Sequence, residues 1–94
     1  MEHGELPSGL ELVRTTDEFT AETVPAGLLR AHRVASGSWG RLVVRGGSVR
    51  FVWEEPGAGD PLELVEGDSV VIPPDTPHRV EPGDDARFVV EFRR

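Results

Sequence analysis

Three side chains in this sequence could do chemistry together: His32, His78 and Glu91. Two imidazoles and one carboxylate are a donor set that zinc and ferrous sites use, with water or substrate completing the shell. His78 closes the stretch Gly67-Asp-Ser-Val-Val-Ile-Pro73-Pro-Asp-Thr-Pro-His78. That order reads as a turn glycine, a short apolar strand, a proline-locked turn and a histidine that opens the next strand. Asp75 stands where such a turn commonly has glycine, and aspartate also tolerates the geometry. His32 lies far upstream, inside a plausible strand, so two imidazoles on facing strands could hold a divalent zinc, iron or nickel ion. The competing reading is a pair of cavity-lining imidazoles that bond to backbone and carry no metal.

Glu91 is the preferred carboxylate because it interrupts an apolar run, Phe88-Val89-Val90-Glu91-Phe92. A carboxylate there is costly to bury unless it is paired or metal-bound. An ion pair with Arg41 or Arg93 would satisfy it equally well. Glu81 lies three residues past His78, on the opposite face of a strand, and ranks lower. Around the site, Trp39, Phe51 and Trp53 could form an aromatic wall, and Arg30 and Arg41 could bind an anion by forked hydrogen bonds. Core packing accounts for the aromatic side chains, and a solvated surface for the arginines, just as simply. No phosphate-binding glycine loop or nucleophile-elbow serine is present, and without cysteine there is no thiol nucleophile, thiolate ligand or disulfide.

The elements that must position these residues are strands. Met1 to about Gly9 reads as a loose polar arm, and residues 1–14 as an N-terminal arm with a first strand ahead of a single domain, 15–94. Thr15 to Phe19 could make one helical turn, which Pro25 and Gly27 would stop. From Gly27 onward the punctuation is that of β-structure. Strands are expected over Gly27–Ala35, Gly40–Arg45, Ser48–Glu54, Leu62–Glu66, Ser69–Ile72, His78–Glu81 and Ala86–Arg93. Gly46-Gly47 reads as a hairpin turn between the second and third of these, and Gly67-Asp68 as a hairpin turn between the fourth and fifth. Short strands at such spacing indicate a sandwich or small barrel. Apolar residues on both sides of several strands suggest that a second sheet or a second subunit covers the outer face.

Ninety-four residues make one small domain, for which self-association as a homodimer would add burial and cover strand edges. The net charge is -7, and all ten basic residues are arginine. An acidic chain offers no electrostatic footprint for nucleic acid or an anionic membrane. No segment approaches a membrane span or a secretory leader, so a cytoplasmic location is the expectation.

The Gly67–His78 stretch resembles the second signature of the cupin barrels. The first signature, normally two histidines, a glutamate and a glycine, is matched only at His32 and Gly46; Val34 and Trp39 stand at the other two positions. Across Thr16 to Arg93 the chain is similar to the TehB/YeaR-like family of small bacterial cupins. The likeness rests on Phe19–Gly27, Leu28–His32, Trp39–Gly46, Pro73–Glu81 and Arg87–Phe92. It implies an all-β double-stranded β-helix, that is, a small jelly-roll barrel, with a divalent metal between His32 and His78. It also implies an acidic residue at Glu91 and a link to tellurite resistance. Some members precede a methyltransferase that uses S-adenosylmethionine, for which 94 residues leave no room. The resulting expectation is a metal-binding stress protein that takes a small molecule or an oxyanion such as tellurite. The alternatives are a small metal-dependent enzyme of the dioxygenase or isomerase type, and a metal-free sensor or interaction module.

Overall fold

The computed structural model describes residues 1–30 and 32–94. Its strands are β1 (Glu2–His3), β2 (Leu12–Thr15), β3 (Phe19–Thr20), β4 (Trp39–Gly46), β5 (Ser48–Trp53), β6 (Leu62–Val65), β7 (Ser69–Ile72), β8 (His78–Pro82) and β9 (Arg87–Arg93). One 3-10 turn, Ala26–Leu29, is the only helical element among the described residues. A six-stranded sheet runs β1-β7-β4-β9-β2, with β3 alongside the other end of β9. A three-stranded sheet runs β6-β5-β8. All pairings are antiparallel except β1 with β7. The all-β expectation holds, but the closed barrel does not: the ladders form two separate sheets with free edges.

Strand alternation builds the core between the sheets. Leu42 and Val44 of β4, Val70 and Ile72 of β7, and Phe88 and Val90 of β9 face Val49 and Phe51 of β5, Leu64 of β6 and Val80 of β8. Each such side chain contributes about 1.5–3 kcal/mol on burial.

The two turns expected to close hairpins do something else. β4 lies in the six-stranded sheet and β5 in the three-stranded one, so Gly46-Gly47 carries the chain from sheet to sheet. Gly67-Asp68 does the same between β6 and β7. The physical reason is competition for partners. β4 pairs along its whole length with β9, Trp39 to Gly46 against Arg93 to Arg87, and β7 takes its other edge. A glycine turn specifies a change of direction; it does not specify the neighbour.

Three local expectations are also corrected. The span Thr15–Phe19 is not helical but joins β2 to β3, both held by β9. Most of the expected Gly27–Ala35 strand is replaced by the 3-10 turn and a single bridge at His32; Ala31, inside that span, lies outside the described residues. The N-terminal arm is fixed: β1 pairs with β7, the Met1 carbonyl accepts the Ser69 amide, and Gly4 lies against Val71.

Candidate metal and ligand site

His78 is set by the turn before it. Asp75 adopts a left-handed φ of 57°, as its turn position requires, and its amide bonds the Val34 carbonyl at 2.9 Å. Arg33 Nη1 donates to the Asp75 carbonyl at 2.9 Å, which ties the segment carrying His32 to the same turn. His32 and His78 then bridge through both backbone bonds, at 2.8 and 2.9 Å. The proline-rich turn therefore fixes not one imidazole but the pair.

The rings meet edge to face, with centroids 5.3 Å apart and planes at 80°. Phe51 stacks on the His78 ring at 5.3 Å, and Trp53 meets it edge-on at 6.3 Å. His78 Nδ1 lies 2.9 Å from the Thr76 carbonyl. A carbonyl only accepts, so Nδ1 carries the proton in the neutral ring and Nε2 is left with a bare lone pair. That Nε2 lies 3.4 Å from His32 Nδ1. Burial lowers the pKa of His78, helped by the neighbouring His32 and opposed by the Thr76 bond and Glu54. Burial lowers that of His32 as well. Both rings are thus biased toward the neutral form that ligates metals.

The pair forms part of the wall of a cavity of about 200 Å³. Most of that wall is carbon, from Leu28, Val34, Leu42, Ile72, Val80 and Val90. Arg14 of β2, Thr16 of the segment after it and Phe19 of β3 line it as well, beside Phe92.

The other residues singled out from the sequence lie elsewhere. Val90 and Phe92 face the cavity, so alternation turns Glu91 to the outer side of β9. There it pairs with Arg41 at 3.2 Å and Arg93 at 2.9 Å. Its placement as a third ligand is corrected: the arginines already satisfy its charge, on the far side of the sheet. Among the described residues, no group of three or more His, Asp or Glu side chains is arranged to hold a metal ion. Arg41 also bonds Glu2 at 3.0 Å and is a structural ion-pair partner on the outer face. Trp39 shares that face, opposite Arg93. Arg30 is exposed at the end of the 3-10 turn. None of these three lines the cavity. Trp53 backs the His78 ring and lines a separate shallow pocket with Gly4, Val71, Pro73 and Thr76. Arg14 and Thr16 were not singled out. The segment Leu12-Val13-Arg14-Thr15-Thr16 has no strict alternation and no motif, and only the pairing of β2 and of Thr16 with β9 brings Arg14 and Thr16 to the cavity.

The model of the TehB-like domain matches residues 14–90. No curated protein matches the chain. A crystal structure of a protein from E. coli (strain K12) is similar over 96% of this chain and 95% of its own, with a TM-score of 0.85 and 24% identity. The crystal structure of TehB from Haemophilus influenzae is similar over 92% of this chain, with a TM-score of 0.81 and 22% identity; the match covers 32% of that protein. At such identities the likeness carries the fold and not the chemistry.

Proposed function

For a chain that belongs to the family of TehB-like domains, we propose a small-ligand-binding function built on a divalent metal held by His32 Nδ1 and His78 Nε2. One observation carries this reading: the 3.4 Å between those two nitrogens. Two metal–nitrogen bonds of about 2.0–2.1 Å at a tetrahedral angle span about 3.3–3.4 Å. Neutral imidazole donors of this kind would suit zinc, iron or nickel. The donor set fits in a second respect. Ligating histidines usually give their other ring N–H to a carbonyl or carboxylate, and His78 gives its own to Thr76.

Two protein donors leave coordination positions for water or a ligand from the adjoining cavity. A metal in such a setting would supply Lewis acidity; the chain itself orients the rings. The dioxygenase or isomerase alternative draws on a carboxylate beside the two histidines, and Glu91 is committed to arginines. The cupin-type reading of the fold rests on the exchange of strands between sheets and on the Gly67–His78 turn. A role with tellurite or another oxyanion rests on family likeness alone. The reading concerns this domain and not the remainder of the longer TehB.

Metal content of freshly purified protein, and zinc titration after chelation, test the site. His32→Ala and His78→Ala should each weaken zinc binding by at least about 10-fold while circular dichroism stays that of the parent. Wild-type affinity in both variants would overturn the assignment.

A further inference from the structure

We infer that the cavity takes a small organic monoanion with an apolar body, a short branched or aromatic carboxylate, whose charged group is received by Arg14. The inference rests on the reading of this cavity as the ligand site, and it names the ligand's chemistry. Size comes first. An apolar cavity of about 150 Å³ suffices for a benzene-sized molecule, whereas drug-sized ligands occupy about 300–1,000 Å³. The roughly 200 Å³ here suits one ring or one branched chain, and excludes a nucleotide.

The wall decides the body of the ligand. Phe19, Leu28, Ile72 and Val90 offer carbon, and against these side chains an inorganic oxyanion finds no hydrogen-bond partner. An apolar body gains by the same burial.

The rim decides the charge. Arg14 is exposed, and its guanidinium lies 5.1 Å from the centre of the Phe92 ring. Arg41, Arg50, Arg79, Arg87 and Arg93 are each paired with a glutamate, but Arg14 makes no ion pair among the described residues. Phe92 holds the guanidinium group by a cation–π contact, and its N–H groups stay available for a carboxylate. Beside it, Thr16 Oγ1 accepts the Val90 amide at 3.0 Å, so its own proton is left to donate. Arg14 and Thr16 belong to the six-stranded side of the cavity and His78 to the three-stranded side. A ligand with its carboxylate on Arg14 directs its apolar body between the sheets.

Benzoate, its neutral isostere benzamide, and inorganic tellurite are the probes. Each is titrated into the full chain by calorimetry and amide NMR, once after chelation and once with zinc. Benzoate should bind and shift the amides of Phe19, Leu28 and Val90, more strongly than benzamide. Arg14→Gln, a change at an exposed position, should weaken benzoate about threefold to tenfold and leave benzamide unchanged. Absence of benzoate binding in both forms, unchanged benzoate affinity in Arg14→Gln, or preference of the cavity for tellurite would each overturn the inference. Zinc binding without benzoate binding overturns this inference and keeps the metal reading. Benzoate binding without zinc binding does the reverse.

Discussion

At the scale of single residues, burial has made the two histidines proton-poor. Their folded pKa values lie below the ordinary value, because desolvation penalises the charged ring. The unfolded chain therefore binds these protons more readily than the folded one. Stability is full above about pH 6.5 and declines as pH falls through that value toward the folded pKa values. In chelated protein, the thermal midpoint should fall between about pH 7.5 and about pH 5.5, and fall less in the His32→Gln, His78→Gln double variant. Equal slopes in the two proteins would contradict this linkage. Glu91 behaves oppositely to a ligand. Glu91→Gln should leave zinc affinity unchanged and cost about 1 kcal/mol of stability, because Arg93 loses its partner and Arg41 keeps only Glu2. Calorimetry and a denaturant titration on that one variant check both halves.

At the scale of elements, the crossings between sheets are the sensitive points. Gly47 has a φ of 61°, and a Cβ there would lie 2.4 Å from the Asp85 carbonyl oxygen. Strain and overlap act together, and the overlapping atom is backbone that cannot swing away. Gly47→Ala should cost at least about 2 kcal/mol in urea unfolding. Gly37, at φ 86° with open space around it, isolates the conformational part, and Gly37→Ala should cost about 1–2 kcal/mol. Equal losses at the two positions would mean that the approach of the β8–β9 corner to Gly47 does not matter. The same corners decide the site, because the turn at Asp75 both carries β7 over to β8 and seats His32 against His78.

At the scale of the whole molecule, β2 closes one side of the cavity and is also an outer strand of its sheet. Leu12 and Val13 are about half exposed on it. An open edge with apolar side chains is a surface on which a second strand can add. A homodimer is the expected state, and light scattering at micromolar concentration should give about twice the 10.3 kDa chain mass. Val13→Lys should reduce it to one chain mass, because a charge on an edge strand opposes pairing. A parent that stays monomeric across a concentration series would refute the expectation. Among the described residues, no helix is long and apolar enough to cross a membrane.

What the sequence determined by itself is local and periodic. Alternation in Gly40–Val44 and Val49–Phe51 fixed which side chains enter the core, because burial of one strand face depends only on residue type and the two-residue repeat. Turn chemistry placed the strand boundaries near Gly46-Gly47 and Gly67-Asp68, and aspartate's tolerance of positive φ put Asp75 at its turn. His78 was legible because it follows a proline-rich turn and opens a strand; its bridge to His32 was decided by the fold, since His32 does not lie in the strand that the sequence suggests. Partnership was decided only in three dimensions. Which strands share a ladder depends on the competition of β7, β9 and β5 for β4, and loop signals do not encode that competition. Glu91 looked like a ligand in one dimension, since the run around it is apolar; the arginines that neutralise it arrive from β4 and from two residues further along its own strand. Arg14 looked like any surface arginine until β9 carried β2 to the mouth of the cavity.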